Sequence, residues 1–133
     1  MVHTEIPREQ WHSFCDEFSR LHRGWLVTIG VIDTRLLEVV AEARAHALTG
    51  DLVFQGITEE EKRGHTDLAI VAGEGEHHIA HAVHEPQHLY LESTEDGAHK
   101  GVRIDGADGH STLLRFRATA PAEALNGLAE SER

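Results

Sequence analysis

HLYLESTEDGAHKGVRIDGADGHSTLLRFRA, residues 88–118, reads as three successive strands joined by tight turns. Apolar and polar residues alternate over His88 to Ser93, Gly101 to Asp105 and Ser111 to Ala118, the period of a strand with one buried face. Gly97 and Gly109 fall where tight turns need positive φ, and Asp105-Gly106-Ala107-Asp108-Gly109 has the composition of a hairpin connection. Connections this short impose antiparallel order. Leu89, Leu91, Val102, Ile104, Leu114 and Phe116 then face inward, while Tyr90, Glu92, Arg103, Asp105, Arg115 and Arg117 form an outward face that pairs charges across strands.

Working back from this meander, His78 to Val83 and Asp67 to Val71 read as further strands, separated from the short apolar piece Leu52 to Phe54 by a charged loop, Thr58 to Gly64. Glu38 to Leu48 is rich in alanine but alternates apolar and polar residues, and it is assigned as a strand. Trp25 to Val31 is rich in β-formers and ends at the polar break Asp33-Thr34-Arg35. Before it the period changes. Trp11, Phe14, Cys15, Phe18 and Leu21 recur at helical spacing, Pro7 suits a first helical position, and Gly24 suits a left-handed stop, so residues 7–23 are expected to form an amphipathic helix. The expected fold is α+β: one domain over residues 1–118, with the N-terminal helix packed on a curved, mainly antiparallel meander that can approach a barrel. Residues 119–133 are small and polar, and are expected to form a frayed helix or to be disordered.

The chain has 133 residues, enough for a single core without a staple, and its one cysteine cannot form an internal disulfide. Twelve Lys and Arg against 23 Asp and Glu give a net charge of −11, which argues against nucleic acid or an anionic membrane as the main partner. No apolar run approaches a membrane span and no secretory signal opens the chain, so a cytoplasmic location is expected. Protonating all twelve histidines would carry the net charge from −11 to +1. With ordinary values near 6.5, most of that change falls within about two pH units.

Five of those histidines lie in His77-His78-Ile79-Ala80-His81-Ala82-Val83-His84-Glu85-Pro86-Gln87-His88. Imidazole is the commonest metal ligand and the side chain that titrates nearest physiological pH, so His77, His78, His81, His84 and His88 are the candidate metal-binding and proton-sensing residues. In a strand, His77 and His81 share one face and His78 and His84 the other, so a second strand entering at His88 is what would gather two or three imidazoles. In a helix, His77, His81, His84 and His88 would share a side, but Pro86 removes a donor and disfavours α geometry at Glu85. A nitrogen ligand set without cysteine suits Zn²⁺, Ni²⁺ or Cu²⁺.

Other chemistry is thinner. Cys15 has His12 and His22 nearby in sequence but shares the apolar face of Phe14 and Phe18, which marks a buried structural thiol. Gly73-Glu74-Gly75 is too short for a phosphate loop, Glu59-Glu60-Glu61 reads as a solvated run, and Trp11 and Trp25 read as core anchors.

Three segments carry a resemblance: Ile6 to Ile29 (IPREQWHSFCDEFSRLHRGWLVTI), Leu52 to Ile57 (LVFQGI), and Ala107 to Arg117 (ADGHSTLLRFR). In order and over about residues 6–118, the chain resembles a bacterial family catalogued as domain of unknown function 5335. The resemblance implies strand structure through Glu38 to Ile57 and supplies no catalytic or binding residues. With no acid, base and nucleophile converging in a motif, the expectation is a non-catalytic interaction or stress-associated domain that forms a homodimer or binds another protein. The alternative is a metal- or pH-responsive binding protein that uses the histidines of residues 77–88.

Overall fold

A computed structural model describes residues 1–37, 46–47 and 51–120, with the side chains of 46–47 and 118–120 left aside. The strand expected over Glu38 to Leu48 lies outside the described residues except for His46–Ala47, and so does the tail beyond residue 120. The elements in chain order are β1 (Val2–Glu5), a 3-10 turn (Arg8–Gln10), α1 (Trp11–His22), β2 (Leu26–Asp33), a second 3-10 turn (Thr34–Leu37), β3 (His46–Ala47), β4 (Leu52–Lys62), β5 (His65–Glu74), β6 (His77–Val83), β7 (Pro86–Ser93), β8 (His99–Gly106) and β9 (His110–Ala120). The protein is α+β, with one α-helix among the described residues packed on an antiparallel sheet.

The strands run β1-β7-β8-β9-β2-β4-β5-β6, with β3 also paired to β2, and every pair is antiparallel. Consecutive hairpins build β4-β5-β6 and β7-β8-β9, and the long β2–β9 ladder joins them, from Val27 opposite Phe116 to Asp33 opposite His110. Among the described residues the sheet is not closed into a barrel. Strands β6 and β7 are linked by only His84 and Glu85, yet they do not pair.

Helix α1 buries Trp11, Cys15 and Phe18 in one cluster with Trp25, Val27 and Ile29 of β2 and its approach, Phe54 and Ile57 of β4, and Leu114 and Phe116 of β9. The 3.6-residue spacing of its apolar positions is what makes this stripe. The Phe18 ring stacks on Phe116 at 5.7 Å, and Trp11 Nε1 donates to the Ile6 carbonyl at 2.9 Å. Gly24 ends the helix at φ +96°, as its position promised, and its amide donates to Phe54 O at 2.9 Å, which docks the helix exit onto β4. Ser19 faces the irregularity between Phe54 and Gly56 in β4: its hydroxyl donates to Ile57 O and accepts from Ile57 N at 2.8 Å. A side chain on Gly56 would stand 3.2 Å from Ser19 Oγ, so glycine keeps this approach open.

Three expectations need correction. The charged loop at Thr58 to Gly64 is instead the outer half of the β4–β5 hairpin, with Lys62 opposite His65 across a two-residue turn. Arg63 and Gly64 take φ +50° and +83°, the positive pair that a type I′ turn requires, and turn geometry rather than an apolar face holds this part. Strand β1 was not anticipated; its residues are exposed and pair along the second half of β7. Third, Glu92 and Asp105 are buried rather than outward. His3, Glu92, Gly101 and Arg115 form one row across β1, β7, β8 and β9. Gly101 contributes no side chain, so Arg115 reaches over it to Glu92 at 3.5 Å while His3 Nε2 approaches from the other side at 3.0 Å. Asp105 is held by the Arg103 guanidinium and by the Ser111 hydroxyl at 2.6 Å. Burial of these carboxylates is sustained because each is paired.

Candidate functional site at the open end of the sheet

Curvature brings the edge strand β6 back over the far side of the sheet. His81, on the inward-facing parity of β6 with Ile79 and Val83, reaches Thr112 of β9 at 3.1 Å between Nε2 and Oγ1. In sheet order these strands are separated by β2, β4 and β5. The linker follows suit: Glu85 O accepts from the Ala107 amide in the β8–β9 turn at 3.2 Å. Glu85 itself sits at φ +48°, a left-handed conformation that lets two residues reverse the chain. Pro86 then opens β7, a strand position that tolerates a missing donor.

A cleft of about 360 Å³ opens at this seam, lined by Val31, the run from His81 to Glu85, Ala107, Asp108, His110 and Thr112. Two of these residues, His84 and Glu85, are bonded to Asp67 of β5, which is 1 % exposed. His84 Nδ1 donates to Asp67 Oδ2 at 3.0 Å, the Glu85 amide donates to Oδ1 at 3.2 Å, and His65 Nε2 stands 3.6 Å from Oδ1. Burial by itself raises the Asp67 carboxyl, but the His84 and Glu85 hydrogen bonds and the charges of His84 and His65 outweigh it and hold the group below its ordinary value. Because a carboxylate only accepts, His84 must carry its proton on Nδ1 when neutral, which leaves Nε2 as a lone pair on the exposed side of the ring. His81 is shifted downward, first by burial and then by the charge of His84.

The five histidines singled out from sequence therefore part company. His81 and His84 line the cleft. His77 and His78 are exposed at the opposite end of β6, where His78 Nδ1 bonds the Gly75 carbonyl of the β5–β6 turn. His88 lies on β7, whose neighbours are β1 and β8, and its Nδ1 bonds Glu5 Oε2 at 2.8 Å. Among the described residues, no group of three or more His, Cys, Asp or Glu side chains is placed to hold a metal ion. Sequence reading overlooked Asp67, Asp108 and His110, because residues of the β5–β6 and β8–β9 hairpins meet only when the sheet curls.

Cys15 is buried among the helix's apolar residues, and burial followed by the nearby Glu59 charge pushes its thiol up to about 12. A thiol held in that form is no nucleophile.

A family model described as a family of unknown function (DUF5335) matches residues 2–125. The chain belongs to the DUF5335 family. No curated protein and no solved structure matches it. For this DUF5335 chain the matched span runs from β1 through β9, so both edges of the sheet and the seam cleft lie inside it. No helix among the described residues is long and apolar enough to cross a membrane.

Proposed function

We propose that this DUF5335 chain is a non-catalytic binding protein whose contact surface is the outer edge of β6 together with the seam cleft beside it, and that its first partner is a second copy of the chain. The observation that carries this reading is that, among the described residues, β6 pairs on one side only, with β5, along its whole length from His77 to Val83. The other side presents a row of backbone donors and acceptors, which a symmetry mate completes by antiparallel pairing. His77, His78, Ala80 and Ala82 are exposed along it, so little bulk opposes approach. The imidazoles of the cleft already hold protein partners, an arrangement that suits recognition better than turnover. Pairing two copies of β6 brings the histidines of both strands together. Proton uptake then adds like charges across the interface, which makes the assembly acid-sensitive.

Sedimentation equilibrium across the micromolar range at neutral pH should show a dimer that gives way to monomer in mild acid. Ala80→Lys/Ala82→Lys, which places charge on the edge, should be monomeric with unchanged melting. A wild type that stays monomeric, or a lysine variant that dimerises as well as the parent, would remove the proposal. A second reading has one support, the lone pair of His84 Nε2 oriented by the buried Asp67 in the manner of a carboxylate–histidine metal ligand. Calorimetric titration with Zn²⁺, Ni²⁺ and Cu²⁺ tests it: stoichiometric binding lost in His81→Ala/His84→Ala supports a cation site, and equal weak binding by both proteins rejects it.

A further inference from the structure

A second cavity, of about 200 Å³, lies away from the seam, between the C-terminal half of α1 and the start of β8. Phe14, Phe18 and Leu21 form its apolar wall, and Glu17, His22 and His99 supply its polar groups. His22 is fully buried, with its ring 4.3 Å from Phe18 and 4.8 Å from Phe116. Its Nδ1 lies 2.7 Å from the Phe18 carbonyl oxygen, and its Nε2 lies 3.0 Å from Nδ1 of His99.

These distances fix both tautomers. A carbonyl oxygen only accepts, so His22 carries its hydrogen on Nδ1 and offers Nε2 as a lone pair. His99 must then donate from its Nδ1, which leaves its Nε2 as an acceptor with no partner among the described residues. Burial holds both rings below the ordinary imidazole value, with the neighbouring ring adding to the effect at His22, so the chain of neutral donors persists at neutral pH. The cavity thus combines an aromatic wall, an imidazole oriented as an acceptor, and a carboxylate. None of these receives an anion, and all three favour a ligand that brings N–H donors, positive charge and an apolar body. The net charge of −11 adds a field that draws cations.

We infer that the α1–β8 cavity is a binding site for a small primary ammonium compound with an apolar or aromatic body, the ammonium donating to His99 Nε2 and pairing with Glu17 while the body packs on Phe14, Phe18 and Leu21. A volume of about 200 Å³ accommodates a single-ring molecule and not a nucleotide or a peptide. This site is independent of β6 and of any dimer.

The test uses the full chain at neutral pH, with phenethylammonium as the probe, and 2-phenylethanol and 3-phenylpropionate as neutral and anionic counterparts of the same body. Binding is read by calorimetry and by NMR shifts at Phe14 and Leu21. The ammonium should bind, the alcohol more weakly, and the carboxylate not at all. Glu17→Gln, at an exposed position, should weaken the ammonium by about tenfold, about 1.4 kcal/mol, and leave the alcohol unchanged. His99→Phe should weaken ammonium and alcohol alike. If His99→Phe proves unfolded, Leu21→Trp, which fills the cavity from the helix, should abolish binding while the melting temperature is kept. The inference is overturned if the ammonium does not bind, if the carboxylate binds as tightly, or if Glu17→Gln and Leu21→Trp leave binding intact.

Discussion

His22 shows how one side chain couples packing to pH. It lies in the last turn of α1, where a positive imidazole would complement the helix dipole, but burial against Phe18, Trp25 and Phe116 dominates and lowers its pKa to about 4. In the unfolded chain the same group titrates near 6.5. Between those values the unfolded state binds the extra proton, so the stabilisation from a neutral His22 is complete above about 6.5, declines as pH falls, and is lost by about 4. The full difference amounts to roughly 3 kcal/mol, a large share of ordinary domain stability. Urea unfolding at neutral and mildly acidic pH should show this loss in the wild type, and a His22→Phe variant should lose markedly less over the same interval. Equal losses in the two proteins would show that His22 does not set the acid limit. The sequence displayed His22 as a neighbour of Cys15 and as a basic residue of the helix's last turn; its true partner, His99, is 77 residues away, and no spacing rule connects them.

At the level of elements, what was legible followed the turn chemistry and the hydrophobic period. The three C-terminal strands stand where their alternation put them, and Gly97 and Gly109 take φ +92° and +84° in the turns. Helix α1 holds its apolar stripe inward as its spacing required. The outer half of β4 was illegible because Thr58 to Lys62 has almost no apolar residues, and its strand form depends on pairing with β5. The polar part of the contact between α1 and β4 was illegible too, since it runs through a serine beside the Phe18–Phe54 packing. Ser19 is buried and satisfies both backbone groups of Ile57 at an irregular point of the strand. Ser19→Ala keeps the helix propensity but strips the Ile57 amide of its side-chain acceptor, which should cost about 1–3 kcal/mol. Gly56→Ala tests the same contact from the other side, because its added Cβ would stand 3.2 Å from Ser19 Oγ. Denaturant titration at neutral pH measures the Ser19→Ala effect directly; a change below about 0.5 kcal/mol would mean that β4 relaxes to satisfy Ile57 elsewhere.

Across the whole molecule, the sheet is strong in the middle and thin at the seam. Among the described residues, β2 is held by β9 along its length and also by β3 and β4, whereas β6 pairs with β5 alone and returns to the rest of the sheet through His81, the His84–Glu85 link and the Ala107 amide. Sequence could reveal the histidine density of this segment but not that curvature would aim His81 inward at Thr112. That inward position sets the sign of the pH response. Burial, then the charge of His84, lowers the pKa of His81, so its contribution to holding β6 is complete above the ordinary imidazole value and falls away as pH drops below it. Asp67 works in the same direction at lower pH: its carboxyl is depressed, and the bonds to His84 and Glu85 weaken once it is protonated. Local opening at β6 should therefore precede global unfolding in acid. Hydrogen exchange, corrected for the intrinsic pH dependence of the chemistry, should show in mild acid a fall in the protection of β6 beyond the loss that β2 and β9 share with the global stability. In His81→Leu, which fills the inward position with an apolar side chain, that fall should largely disappear. Parallel loss in β6 and β9 would instead make the molecule a single cooperative unit, with the seam as firmly held as the centre.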